Sequence, residues 1–355
     1  MRPELRRAWL LLLSWSLLAA VAGAEEAPTP QANGFIETAY AFATRHPDGA
    51  IAGNFYLRDH DTFMLNAAML RLSQAPPADR NGTGFTLVAL AGREAGLVRA
   101  AGLDLGEHAD ITQAFGTVAF SHAGVQVSAG KMATMLGNEV IESVSNPNLS
   151  LGSQFVYVEN FTDTGVDLAW AGAHGWSARA RLVNGWDVVT DNNGRKTVFG
   201  KLGWSDATRS IAVLGYTGRE LPDSVGGQRN GAELLASASL GKIAATLQVD
   251  AGREEALDAS WSAAGLWLRT PLCPRLDLAL RGDVLDDAIG ARTSGALGFP
   301  TLARQTLVGA TATLVIHAVP GALIRPELRW DHSDLPVFNG HTEQWTAALG
   351  MALTF

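Results

Sequence analysis

The sequence predicts an all-β fold, a single antiparallel β-barrel that spans a membrane. Three observations predict it. The chain opens on an export leader. The remainder alternates apolar and polar residues with a period of two. The links between the alternating runs are short on one side and long on the other.

The leader comes first. Arg2, Arg6 and Arg7 form a basic stretch, and Trp9 to Val21 an apolar one broken only by Ser14 and Ser16. Ala22-Gly23-Ala24 then supplies an A-x-A cleavage signal. The apolar run is shorter than the roughly 20 residues a spanning helix needs. Residues 1–24 are therefore read as a signal peptide cleaved after Ala24. Residues 25–33 are read as a short periplasmic segment and 34–355 as the barrel. No later segment is apolar and long enough for a transmembrane helix, so the protein is expected in the bacterial outer membrane.

Alternation is clear in several runs. Leu276, Leu278 and Leu280 alternate with Arg275, Asp277, Ala279 and Arg281. Ile243, Ala245, Leu247 and Val249 alternate with Ala244, Thr246, Gln248 and Asp250. Strands are expected near 34–42, 61–73, 84–91, 109–120, 124–131, 163–171, 175–186, 196–205, 209–217, 231–240, 242–250, 261–270, 275–283, 303–317, 322–331 and 343–355. That makes 16, the even count of a bacterial single-chain barrel. Runs 209–217 and 261–270 alternate poorly, which leaves 14 or 18 open. Links after the even-numbered strands are mostly short, such as SHAG, AGAHG and SLGK. Those after odd-numbered strands are mostly long, such as 43–60, 92–108 and 132–162. Both termini then lie on the short-turn, periplasmic side.

The last strand carries its own signal. Trp345, Ala347, Leu349, Met351, Leu353 and Phe355 occupy every second position and end the chain on an aromatic. Such a strand is expected to be read by the barrel-assembly machinery. Trp170, Trp176, Trp186, Trp204, Trp261, Trp330 and Trp345 fall near predicted strand ends, where indole favours the membrane–water interface.

Charge and motifs exclude other classes. Removing the leader takes the net charge from −8 to −10. That balance argues against nucleic acid and favours a lumen that tolerates cations, although position outweighs the sum. Cys273 is the only cysteine, so no internal disulfide forms. HExxH, a P-loop and metal-ligand histidine spacing are all missing. No enzyme activity, cofactor or metal is expected.

The segment from Gly130 to Phe155 is the most informative. It belongs to the longest connection, and Val140, Ile141, Val144 and Leu149 make it too apolar to dangle in water. It is expected to fold into the barrel as a constriction loop presenting Lys131, Thr134, Asn138, Glu139, Glu142, Asn146 and Asn148. Alternation nominates Arg71, Arg179, Arg181, Lys201, Arg275, Asp277, Arg281, Arg325, Glu327 and Arg329 for the pore wall. Glu139 and Glu142 are expected to face Arg179 and Arg181 across a transverse field.

Gly34 to Tyr40 (GFIETAY), the run GK-x-x-T-x-x-G-x-E-x-I-E-S from Gly130 to Ser143, N-P-N-x-S from Asn146 to Ser150, T-G-V at Thr164 and the terminal Phe together resemble the OmpL-like β-barrel porins of Gram-negative bacteria. Leu149-Ser150-Leu151 depart from the more polar, aromatic stretch expected there. The resemblance covers most of the chain after residue 33. It implies a porin, passing small hydrophilic solutes or ions by passive diffusion. A receptor or adhesin, and a barrel hydrolase, are the alternatives. Partners are then outer-membrane lipid, the assembly machinery and small solutes, with a homo-oligomer by analogy.

Overall fold

A computed structural model of the protein describes residues 28–46, 49–299 and 303–355. The expected leader and its cleavage site lie outside the described residues. Sixteen strands form one closed antiparallel barrel. In chain order they are β1 Gln31–Ala43, β2 Thr62–Gln74, β3 Gly82–Ala91, β4 Ala109–Phe120, β5 Val125–Ala133, β6 Thr162–Ala171, β7 Trp176–Trp186 and β8 Thr197–Ser205. Then follow β9 Arg209–Gly218, β10 Arg229–Leu240, β11 Ile243–Glu254, β12 Ala259–Cys273, β13 Leu276–Asp287, β14 Gln305–Val319, β15 Ala322–Ser333 and β16 Glu343–Thr354. Every expected strand is present, and β1 begins at Gln31, earlier than the expected residue 34.

Closure satisfies the backbone. Each strand pairs with its sequence neighbours, and β1 closes on β16 with Phe35 opposite Thr354 and Ala43 opposite Thr346. Gly34 and Phe355 exchange two further N–H···O bonds of 3.0 Å, so the seam runs to the last residue. Gly34 has a steric reason: a Cβ there would meet the Met69 carbonyl oxygen at 2.2 Å and the Phe355 ring at 2.7 Å. A closed sheet leaves no unpaired edge, which hydrocarbon would penalise by several kcal/mol per group.

Alternation sets the two faces. Ile36, Leu168, Leu202, Val213, Leu247, Leu266, Leu328 and Leu349 are exposed on the outside, while Glu37, Asp167, Gln248, Arg281 and Glu327 are buried inside. The outward face is apolar because lipid replaces water there. No helix of the described residues is long and apolar enough to cross a membrane. Trp170, Trp176 and Trp204 lie outward at the short-turn end, and Trp330 and Trp345 toward the long-loop end, as two belts. Trp186 and Trp261 do not join them. Both are buried, in clusters facing the lumen, because loops fold in and cover them.

That infolding also explains the two poorly alternating runs. On β9, Leu214 and Tyr216 point inward and pack with Met135, Leu136, Val183, Trp186 and Phe199. On β12, Trp261 and Ala263 point inward against Tyr157, Val158 and Phe338. Both strands are apolar on both faces, so the period of two fades.

The short turns span 75–81, 121–124, 172–175, 206–208, 241–242, 274–275 and 320–321. The opposite end carries L1 (44–61), L2 (92–108), L3 (134–161), L4 (187–196), L5 (219–228), L6 (255–258), L7 (288–304) and L8 (334–342). L6 is the exception to the long-loop rule. L2 contains the short helix α1, Arg93–Leu97.

Candidate pore and the loop that fills it

L3 enters the lumen and docks on the wall. Its backbone supplies most of the polar groups, and wall side chains answer them. The Arg325 guanidinium donates to the carbonyls of Ser143 (2.9 Å) and Asn146 (3.0 Å) and pairs with Glu37 of β1. The Glu327 carboxylate accepts from the N–H groups of Leu149 (2.7 Å) and Ser150 (3.0 Å). Arg329 donates to the Leu151 carbonyl (2.7 Å) and is held by Asp331. Arg281 reaches the Ser150 carbonyl (2.5 Å) and Glu139 (2.9 Å). Asp283 accepts from the Ser153 N–H (3.0 Å) and hydroxyl (2.6 Å).

Strands β8, β10 and β11 hold the loop's two limbs. The Gly137 N–H donates to Glu233 (2.6 Å) and the Asn138 N–H to Gln248 (2.9 Å). Gly137 has φ +84°, a conformation in which glycine carries no Cβ penalty. The Gln154 amide donates to Asp250 (2.5 Å), and Lys201 donates to the Met135 carbonyl (2.9 Å). Charge-assisted bonds of this kind are about twice as strong as neutral ones. Left unpaired in a packed lumen, the same carbonyls and N–H groups would each cost about 1–3 kcal/mol.

The sequence-nominated loop residues have distinct places. Asn146 clasps the loop to itself, its amide bonding both the N–H (3.0 Å) and carbonyl (2.7 Å) of Val140. Asn148 donates to Thr313 on β14 (2.8 Å). Thr134 closes the loop base by donating to Asn160 (2.8 Å). Lys131 sits on β5 rather than in the loop, paired with Asp110 (2.9 Å). Asn138 is bound through its backbone N–H.

The expected pairing of Glu139 and Glu142 with Arg179 and Arg181 is corrected. Glu139 binds Arg281 on β13, the Trp267 indole and the Gly152 N–H. Glu142 binds Arg71 on β2 (2.7 Å) and Gln113 on β4 (3.1 Å). Arg179 and Arg181 are taken by β6: both hold Asp167, and Arg181 also holds Asp163 (2.6 Å). The reason is register. Asp167 lies directly opposite Arg181 on the neighbouring strand and takes it in a cross-strand pair. Arg275 and Asp277, nominated for the wall, sit at the short-turn end, where Arg269 and His317 hold Asp277.

The acids Glu37, Glu233, Asp250 and Asp283 and the indole of Trp267 were missed. Their inward parity was readable, yet an isolated acid in an alternating strand looks the same whether it is solvated or docks a loop.

Apolar contacts complete the seal. Ile141, Leu151 and Phe155 of L3 pack with Phe55 and Tyr56 of L1, Ala95 of α1 and Val98 of L2. Leu149 fills the space above Gly350, where a Cβ would meet its Cδ1 at 2.5 Å. This accounts for the apolar Leu149 and Leu151. Residues Gln154–Val158 form one π-turn, and the Tyr157 carbonyl accepts from Arg292 of L7 (2.5 Å). The Arg292 guanidinium lies over Trp186 (5.4 Å) and Trp261 (5.2 Å), and Arg229 over Trp186 (4.8 Å). No cluster of three potential metal ligands occurs among the described residues.

Solved structures share this fold. The chain is similar in fold to an anion-selective porin from Comamonas acidovorans, with TM-score 0.65, 10% identity, and 92% of this chain and 99% of that one covered. It is also similar to OmpF of Salmonella typhi in complex with daunomycin, with TM-score 0.61, 10% identity and coverage of 93% and 98%. The outer membrane channel DcaP of Acinetobacter baumannii gives 0.60, 12%, 94% and 100%. Identities this low carry the fold alone. No curated protein matches in sequence. The family model for beta-barrel porin-2, OmpL-like, matches residues 30–355. With the whole barrel inside that match, the chain belongs to the OmpL-like β-barrel porins, channels of the outer membrane.

Proposed function

We propose that this porin, exported and cleaved after Ala24, passes small hydrophilic solutes by passive diffusion past L3. The observation that carries the reading is the docking of L3 on opposite sides of the barrel at once, through Glu142 on Arg71 of β2 and through Gly137 on Glu233 of β10. A loop held from both sides sets the free cross-section of the lumen. In this reading Glu139, Glu142, Asn146 and Asn148 fix the loop's shape, and Lys131, Thr134 and Asn138 hold its entry. Arg71 lines the remaining gap with Glu142. Arg281, Arg325, Glu327 and Arg329 act as docking posts, whereas Arg179, Arg181 and Lys201 line the wall beneath. Assembly through the strand ending in Phe355, and association of several copies, belong to the same reading.

Purified protein in a planar lipid bilayer tests it. Ohmic single-channel steps are expected. An intact barrel that gives no steps at any voltage or pH would sink the channel reading and favour a receptor role.

A further inference from the structure

The chain is acidic, but the water-filled part of its lumen is not. Every inward acid on the strands is engaged, and so are the acids of L3. The most open of them are Asp277 and Glu142, with side chains 14% and 12% exposed. The arginines beside them are far more open: Arg71 30%, Arg179 42% and Arg269 45%. Acids are used up in docking L3 and in cross-strand pairs, and Arg181, Arg281, Arg325 and Arg329 are buried with them, while Arg71, Arg179 and Arg269 toward the short turns keep part of their surface in water. The turns at this end add Arg80, Lys242 and Arg275 against Asp79 and Asp206.

This end also has room. A cavity of about 360 Å³ opens over β5–β9, lined by Gln126, Ser177, Arg179 and Lys201, with Ala169 and Gly203 supplying the space. Arg179 and Lys201 are directly opposite each other on paired strands. Lys201 spends one N–H on the Met135 carbonyl and keeps two. Arg179 spends its Nε and Nη2 on Asp167 and keeps the Nη1 pair and one Nη2 hydrogen. Ser177 and Gln126 add a hydroxyl and an amide, and the neighbouring carboxylate, Asp167, is already saturated by two arginines. A second cavity, of about 420 Å³, holds Arg275 and His317. In the first cavity the unspent donors of Arg179 and Lys201 converge beside a hydroxyl and an amide, with Asp167 already engaged, which is the chemistry of an oxyanion seat.

We propose that the periplasmic half of the lumen is an electropositive antechamber, and that the cavity flanked by Arg179 and Lys201 seats small oxyanions, carboxylate or phosphate. The proposal rests on the channel reading, and it narrows the solute class. It also reverses the preference for cations that the overall charge suggests, because a lumen responds to exposed charge and not to the sum.

The test reads local potential without needing conduction. Ser177→Cys, introduced with Cys273→Ser, places one thiol in the cavity of the full-length protein in detergent. Anionic and cationic methanethiosulfonates of similar size are then compared. The anionic reagent is expected to react several-fold faster, relative to the same ratio on free cysteine, and Arg179→Gln with Lys201→Gln should erase that bias. Acetate or phosphate, exchanged for chloride at constant ionic strength, should slow the anionic reagent. Slowing by acetate alone assigns carboxylates, and by phosphate alone assigns phosphate. Slowing by neither overturns the seat. A missing bias, or one that survives both substitutions, overturns the antechamber. In bilayers under a KCl gradient, the reversal potential should show chloride preferred over potassium. Conduction with no labelling bias overturns the antechamber and leaves the channel reading standing. A bias in protein that never conducts supports the antechamber and overturns the channel reading.

Discussion

The two halves of the lumen share one wall and differ in what enters them. Toward the long loops, L3 meets L1, L2, L7 and L8, and the space fills with Phe55, Tyr56, Phe155, Tyr157, Phe299 and Phe338. Toward the short turns the inward residues are polar, with Arg179, Lys201 and Arg269 set among small ones. Ser177, Ser205, Ser210 and Ser239 stay open to water. Strand pairing is equally regular in both halves. The difference comes from connection length: turns such as 241–242 cannot reach the axis, whereas L3 crosses it. The ladder determines that a barrel forms, and the long loops determine how much of it conducts.

The largest effect should come from erasing that difference. Replacing residues 139–151 with a short Gly-Ser link leaves every strand pair intact and exposes Arg281, Arg325 and Arg329 to water. Single-channel conductance is expected to rise several-fold, with the heat-modifiable gel migration of a folded barrel retained. An unchanged conductance would show that L3 does not occlude, and the contrast between the halves would lose its functional meaning.

Next comes the deepest docking post. Arg325 is fully buried, pairs with Glu37 and holds two L3 carbonyls. Arg325→Met leaves Glu37 as a buried charge without its cation, at a cost of about 3–5 kcal/mol. Either the barrel loses stability by that amount or L3 lifts and admits water, which raises conductance. Glu37→Gln in the same chain should restore much of the loss. Denaturant midpoints of the two single variants and the double variant check this. Additive effects in that cycle would mean that the two residues do not act as a pair.

These contrasts were unevenly legible in the sequence. Strand positions were legible because lipid on one side and water on the other impose a strict period of two. The infolding of L3 was legible from its length and from Ile141, Val144 and Leu149. Arg281, Arg325 and Arg329 were legible by parity, but their targets were not. Backbone carbonyls of Ser143, Ser150 and Leu151 carry no residue signature, so nothing in the sequence marks them as partners. The pairing of Arg181 with Asp163 and Asp167 depends on register, which becomes known only once the sheet closes. Trp186 and Trp261 sit near strand ends as belt tryptophans do, and only the inward loops distinguish them.

The smallest expected effect is also the one that pH can tune. Glu159 ends the π-turn of L3 buried between β10 and β11. One oxygen accepts from Gln248 (2.7 Å) and the other has no partner. It faces Glu233 and Asp250 on the wall and Glu139 within L3, with Lys201 as the cation on β8. Burial, then repulsion by Glu233 and Asp250, pushes its pKa well above the ordinary 4.5. The docked loop therefore holds a proton that an undocked one would release. Docking is fully supported below about pH 4.5 and weakens as pH rises through the window between the ordinary and the raised value. One such proton is worth about 1.4 kcal/mol per pH unit inside that window. Conductance should therefore climb with pH. Glu159→Gln, neutral throughout and still able to accept from Gln248, should flatten the climb by up to one proton's worth while leaving the acid-side conductance unchanged. Single-channel recordings over a pH series measure this. A slope equal to that of the unsubstituted chain would assign the pH response elsewhere, to carboxylates on the wall rather than to the loop they hold.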